Sequence, residues 1–184
     1  VGIYANDTFT FNRFTITPGI RYDYNSTTGS FVSPSLGGTF RLAEQTLLRG
    51  TVARGFSSPP VSWVSGGGLF LEPNDGLKEE NVWSFQAGIE TAIPGYAWFR
   101  SSLFYHDVND TIEQVPAPGT AERSLYRFIN HGGAQQTGFD MEVETAPFHH
   151  FSLWGAVSYI RLDPKALDGA EIMYTFKTGL MYDN

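Results

Sequence analysis

The stretch Phe14-Thr15-Ile16-Thr17-Pro18-Gly19-Ile20-Arg21-Tyr22-Asp23-Tyr24 decides how this chain folds. Successive side chains of a β-strand point to opposite faces. Phe14, Ile16, Pro18, Ile20, Tyr22 and Tyr24 therefore share one face, and Thr15, Thr17, Gly19, Arg21 and Asp23 share the other. The same period of two recurs along the chain. Trp83, Phe85, Ala87 and Ile89 form an apolar row, as do Phe139, Met141 and Val143. Phe151, Leu153, Gly155, Val157 and Tyr159 form another, and Ile172, Tyr174, Phe176, Leu180 and Tyr182 a further one.

Working outward, the pattern predicts about nine strands, over residues 1–11, 14–25, 32–42, 46–56, 81–93, 97–108, 125–146 (bent near Gly132-Gly133), 151–161 and 171–183. Most are about ten residues or longer, whereas strands of globular proteins run about five or six. A tilted strand needs about nine to eleven residues to cross a bilayer. The connections alternate. Asn12-Arg13, Ala43 to Gln45, Pro94 to Tyr96 and Pro147 to His150 read as tight turns; 26–31, 57–80, 109–124 and 162–170 read as longer loops. A meander whose two rims face different compartments gives this alternation; a Greek-key sandwich does not.

Composition agrees. Of 184 residues 15% are aromatic and 17% charged, with 20 glycines. Mean hydropathy is slightly negative, as expected where lipid-facing and interior-facing residues alternate and cancel. No run of about 18 apolar residues exists, so no transmembrane helix is expected. Cysteine is absent, excluding disulfides and thiolate chemistry, and the net charge of -7 argues against nucleic acid. Val1-Gly2-Ile3-Tyr4 has no signal-peptide character, so an exported protein would have its true N-terminus upstream.

The apolar rows carry no charged residue. Arg21, Asp23, Arg41, Arg49, Glu90, Arg100, Asp140, Glu142, Glu144 and Lys177 all alternate onto the other face. A charge facing lipid at mid-depth costs about 2–4 kcal/mol, so this segregation is what a bilayer selects. Tyr22, Tyr24, Trp83, Tyr96, Trp98, Tyr159 and Tyr182 sit near strand ends, where aromatic girdles form.

Five motifs in order carry a family resemblance. Arg54-Gly55-Phe56-Ser57-Ser58-Pro59-Pro60 resembles the approach to an extracellular loop of TonB-dependent receptors. Glu72-Pro73-Asn74-Asp75-Gly76-Leu77-Lys78-Glu79-Glu80-Asn81 is similar to that family's N-P-x-L-x-P-E stretch, with Asp75-Gly76 as an insertion and Glu79 in the place of proline. Trp83 to Glu90 resembles the E-x-G strand. Phe104-Tyr105-His106-Asp107-Val108-Asn109-Asp110-Thr111-Ile112 resembles Y-x-x-x-(I/V)-x-D-x-I. Phe128-Ile129-Asn130-His131-Gly132-Gly133-Ala134 with Gly138-Phe139-Asp140-Met141-Glu142 resembles N-x-G-x-A…G-x-E-x-E. Within the family, the group of vitamin B12 and catecholate-siderophore receptors is the most similar.

The resemblance implies an all-β, antiparallel up-and-down meander forming part of a transmembrane barrel of about 22 strands. Residues 1–184 would be a partial barrel, lacking the family's N-terminal plug with its energy-coupling box and lacking the terminal aromatic strand. Alone, its end strands would be open edges prone to association. The implied function is active uptake of an iron-siderophore complex, cobalamin or a similar nutrient across the bacterial outer membrane. Energy would come through TonB acting on the plug, the barrel would sit in outer-membrane lipid, and no catalytic residue or cofactor is expected. The alternatives are a passive porin-like or structural barrel, an outer-membrane hydrolase and a soluble sandwich.

Candidate ligand contacts are Arg54, Trp63 and Phe70, around the long 57–80 loop. Trp63, Leu69 and Phe70 are apolar residues on a loop, which call for a reason; the other reading is packing within the loop. Arg54 with Arg49 would attract an anionic ferric chelate by its field. Gly66-Gly67-Gly68 reads as a flexible tip. His149-His150 and His106-Asp107 are adjacent pairs whose side chains diverge on a strand, which makes them poor metal or acid-base pairs. Asp140, Glu142 and Glu144 form a one-face acidic stripe, matched either to a hard cation or to basic residues on neighbouring strands.

Overall fold

The computed structural model describes residues 1–66, 70–120, 123–165 and 169–182. In order they form β1 (Gly2–Asn6), β2 (Phe9–Phe11), β3 (Phe14–Asn25), β4 (Gly29–Ala43), β5 (Thr46–Ser57), α1 (Val61–Ser65), β6 (Glu80–Ile93), β7 (Ala97–Asn109), β8 (Ile112–Thr120), β9 (Arg123–Asn130), β10 (Gly133–Thr145), β11 (Phe151–Pro164) and β12 (Glu171–Tyr182). One ten-stranded sheet runs β1-β3-β4-β5-β6-β7-β10-β11-β12, with β2 also on β3; β8 and β9 pair apart from it as a hairpin. The sheet is open, with β1 and β2 at one edge and β12 at the other.

Register unites the separate apolar rows. Ile16 pairs with Gly38, Gly38 with Gly50, Gly50 with Ala87 and Ala87 with Leu103. Leu103 pairs with Phe139, Phe139 with Tyr159 and Tyr159 with Tyr174. All the rows expected from sequence thus lie on one face of a continuous wall. The predicted charges lie on the other: Glu90 pairs with Arg100, Arg100 with Glu142, Glu142 with Ala156 and Ala156 with Lys177.

Among the described residues no element packs against the apolar face. Phe176 is 75% exposed and Leu103 62%. The buried hydrophobic residues among those described are Phe31, Val64 and Leu77, which belong to one rim and its loops. A sheet in water must bury its apolar face against another element, and none of the described elements does so here.

The chain departs from the nine predicted strands in five places. Residues 1–11 divide into β1 and β2, because Asp7 and Thr8 lie opposite Pro18 and Thr17 and Pro18 has no N–H for the ladder. The connection read as 26–31 is only residues 26–28, with Gly29 at φ 93. The loop read as 57–80 holds α1. The loop read as 109–124 holds β8, and 125–146 is two strands in different sheets, separated at Gly132 and Gly133, both with positive φ. Trp98 is not in an outward girdle: it pairs with Ala92 and Glu144 and donates through Nε1 to Glu90 at 3.4 Å, on the charged face. Gly67, Gly68, Leu69 and the expected ending Asp183-Asn184 lie outside the described residues.

The turn after β10 is closed by reciprocal backbone bonds between Phe148 and Phe151, 2.8 and 3.1 Å. His149 and His150 both have positive φ, 48° and 69°, the conformation of a primed two-residue hairpin turn. Phe148 packs edge-on against His149, with ring centroids 4.2 Å apart.

Candidate functional site

The long-loop rim carries a cap built from two segments, residues 58–79 and the β8–β9 hairpin. Leu71 forms a parallel bridge with Tyr126. The Tyr126 amide donates to Phe70 O at 2.9 Å and the Glu72 amide to Tyr126 O at 2.8 Å, adding a short third strand to the hairpin. The Asn74 side chain donates to Phe128 O at 2.7 Å. At the hairpin's base Asn130 accepts from the Lys78 amide at 2.7 Å and donates to Lys78 O and Asp110 O, each at 2.9 Å. Glu79 fastens the cap to the wall, accepting from Thr28 at 2.7 Å and Ser58 at 3.2 Å.

The three candidate residues fall in different surroundings. Trp63, on α1, stacks on Phe128 with centroids 4.0 Å apart, so it packs inside the cap. Phe70 is 58% exposed while its backbone is held by Tyr126. Arg54 is half-buried near the end of β5, its guanidinium 4.4 Å from the Phe31 ring centre, and Phe31 in turn lies 4.5 Å from Phe56. Its Nε is buried without a partner. Arg54 and Arg49 do not form one basic patch, because Arg49 is ion-paired with Glu90 further down β5.

The charged face is internally matched. Arg100 meets Glu142 at 3.0 Å and lies over Trp98, and Ser158 donates to Asp140 at 2.5 Å. Asp140 and Glu142 of the acidic stripe are thus met by side chains of neighbouring strands, and no metal-holding cluster of carboxylates and imidazoles occurs among the described residues. His106 stacks on Phe104, whereas Asp107 pairs with Lys165 at 2.5 Å; the two diverge as adjacent strand residues must.

The outward face has limits at both ends. Toward the short turns, Phe14 packs on Phe40 and Phe151 on Tyr182. Toward the long loops, Tyr159 and Tyr174 are followed on β11 by Arg161 and Asp163, bonded at 2.9 Å, and on β7 Tyr105 is followed by Asp107 and Asn109. From Phe151 to Tyr159 the strand advances about 27 Å, which at barrel tilt gives an apolar band of roughly 20 Å. Sequence reasoning missed this charged border and the pairing within the cap: the former lies at the ends of the apolar rows, and the latter needs partners far apart in the chain.

A long-stranded meander with one lipid-compatible face, one charged face, short turns at one rim and loops at the other is a wall of a transmembrane β-barrel. The sequence matches the family described as TonB dependent receptor-like, beta-barrel, over residues 1–182. The chain belongs to this family, which is one of receptors of the bacterial outer membrane.

It is 29% identical over 105 residues to the ferrienterobactin receptor of Escherichia coli K12, a stretch covering 47% of this chain and 14% of that protein. It is 30% identical over 122 residues to the ferric enterobactin receptor of Pseudomonas aeruginosa, covering 56% of this chain and 16% of that one. The chain thus spans well under two thirds of the curated relatives it matches. Its fold is similar to the crystal structure of the siderophore receptor PirA from Pseudomonas aeruginosa, with a TM-score of 0.84 at 21% identity, covering 98% of this chain and 36% of the other. The PirA structure from Acinetobacter baumannii gives a TM-score of 0.77 at 21% identity, covering 99% and 31%.

Proposed function

We propose that this chain is part of the barrel of an active transporter that takes up a ferric siderophore, of the catecholate class, across the outer membrane. The membership of residues 1–182 in the TonB-dependent receptor family, with two enterobactin receptors among its relatives, carries this reading. The chain supplies wall and extracellular loops; the charged face lines the lumen and faces a plug domain through which TonB delivers energy. The outward face meets outer-membrane lipid. Capture and passage of a chelate make and break no covalent bond, so the segment needs no catalytic group.

In this reading Phe70, exposed on the cap, touches the ligand directly. Trp63 holds the cap in shape through Phe128, and Arg54 anchors the rim under it through Phe31. The test is iron uptake by the full-length protein in cells lacking their own siderophore receptors. Ferric enterobactin should enter only when TonB is present. Uptake independent of TonB would favour the passive porin-like barrel, and growth on corrinoid but not on ferric enterobactin would replace the ligand class.

A further inference from the structure

The β8–β9 hairpin rises from the wall on two legs. The chain leaves β7 after Asn109 and returns to β10 at Gly133, and these two residues are paired. At that pair the backbone turns on both legs: Asp110 has φ 57°, Gly132 70° and Gly133 153°. Gly133 admits no side chain, because a Cβ there would meet the carbonyl of Val108. The legs are joined to each other, the His131 amide donating to Thr111 O at 2.8 Å and the Thr111 hydroxyl to His131 O at 2.6 Å. They tilt together, and the bend is a hinge between two sheets that share no strand.

The start of β6 reaches across this hinge. Its pairing with β7 ends at Asn81, opposite Asn109, and Glu80 stands one step further, level with the bend. Adjacent strand residues face opposite ways, so the two take hold from different sides. Asn81 donates to Asp110 Oδ2 at 3.0 Å, and Glu80 Oε1 accepts the Ile112 amide at 2.7 Å. The second bond passes the hinge and grips the first residue of β8 itself. It is a partly buried bond from an N–H to a carboxylate, which is stronger than one between neutral groups, and losing it leaves the donor unmade. On the other flank Lys165 donates through Nζ to Asn109 Oδ1 at 2.6 Å and through its amide to Gly133 O at 2.8 Å. Both acceptors lie short of the hairpin, so that flank fixes the feet of the legs and not their tilt. The Asn130 bonds to Lys78 join the two segments of the cap to each other. The tilt in turn places the cap, since β9 carries Tyr126, which holds the backbone of Phe70, and Phe128, which holds Trp63.

Resting on the reading of the cap as the surface that captures the chelate, we infer that Glu80 is a positioning residue for uptake. Its bond to the Ile112 amide latches the hairpin at the hinge and holds Phe70 at the angle that meets the ligand before the ligand arrives. Glu80 touches no ligand; it acts through the β8–β9 hairpin.

The experiment uses the full-length receptor in lipid, with nitroxide labels on Arg127→Cys in β9 and Glu44→Cys in the short turn after β4, both exposed positions. Without ligand, the labelled receptor should give one narrow distance distribution. Glu80→Ala should broaden it, and Glu80→Gln, which keeps the acceptor oxygen, should leave it narrow. Glu80→Asp, one methylene too short, should behave as Glu80→Ala does, and it serves in its place if the alanine variant does not insert. In cells with TonB, Glu80→Ala should raise the half-saturating concentration of ferric enterobactin about tenfold, the result of a hairpin that spends about a tenth of its time at the competent angle. Maximal uptake per receptor should stay unchanged. A narrow distribution in both shortened variants overturns the latch. So does a loss of maximal uptake at unchanged half-saturation, which a merely structural role would give, and so does a Glu80→Gln variant as broad as Glu80→Ala. A wild type that imports no ferric enterobactin overturns the transport reading instead, and the distances, taken without ligand, then decide the latch alone.

Discussion

The indole of Trp63 lies nearly parallel to the ring of Phe128, 14° apart at a centroid distance of 4.0 Å. One ring belongs to α1 in the 58–79 segment and the other to β9, so the contact joins two long loops that the sequence keeps far apart. Together with the backbone bonds through Tyr126, it makes the cap one unit rather than two flaps. Trp63→Ala should therefore raise hydrogen exchange at the Tyr126 amide as well as at the Glu72 amide. A Trp63→Ala, Phe128→Ala double-mutant cycle should give a coupling of about 0.5–1.5 kcal/mol. Faster exchange confined to residues 58–79 would show that the loops move independently.

Asn130 is the lock at the hairpin's base, and its amide is used at both ends. Asn130→Asp keeps the shape but removes the two donors and sets a carboxylate against the carbonyls of Lys78 and Asp110. The cost should be about 1–3 kcal/mol, from two lost bonds at a partly exposed site. Chemical denaturation in lipid or detergent would read it, and a variant as stable as the wild type would contradict the assignment.

The two faces of β7 should tolerate charge very differently. Leu103 points to the apolar side and Ser102 to the charged side, beside Gly88 and Asp140 in register. Leu103→Arg should lower the stability of the inserted full-length barrel by about 2–4 kcal/mol, whereas Ser102→Arg should change it little. Similar losses at both positions would mean that the faces are wrongly assigned to lipid and lumen.

The short turn at His149-His150 stores backbone strain. Both residues hold positive φ, which costs a non-glycine residue roughly 1–2 kcal/mol. His149→Asn with His150→Gly supplies the residues that a primed turn prefers. The pair should slow unfolding and raise stability by about 1–2 kcal/mol, measured by the denaturant midpoint. A lower midpoint would indicate that the imidazoles contribute more through Phe148 and Tyr182 than their backbone costs.

Gly138 sits where strands approach closely: a Cβ there would meet the carbonyl oxygen of Tyr159 and the ring of Phe104. Gly138→Ala should lower insertion yield in vivo, and Phe104→Ala in the same chain should restore part of it by clearing one of the two obstacles. Failure of any rescue would locate the whole clash at the backbone.

The sequence by itself determined the wall. A period of two, carried through strands long enough to cross a bilayer, leaves one assignment of faces, because any slip by one residue would turn Arg100 or Glu142 onto the apolar face. That constraint is local and repeated, so it survives without knowledge of any partner strand. The family motifs, from Arg54-Gly55-Phe56 to Gly138-Phe139-Asp140, could be read for the same reason: each is a short run of residues.

Only the tertiary structure decided the cap. β8 was hidden because Pro116 interrupts its alternation, which an edge strand of a two-stranded hairpin tolerates. Arg54, Trp63 and Phe70 could be chosen from sequence as unusual residues near a loop, but their roles depend on Phe31, Phe128 and Tyr126, which come from other segments. Side chains that meet across long loops are selected by packing and hydrogen bonding in three dimensions, and no periodicity records that choice. The sequence specified which face of the wall is apolar; the folded loops settled which residues are left exposed at its mouth.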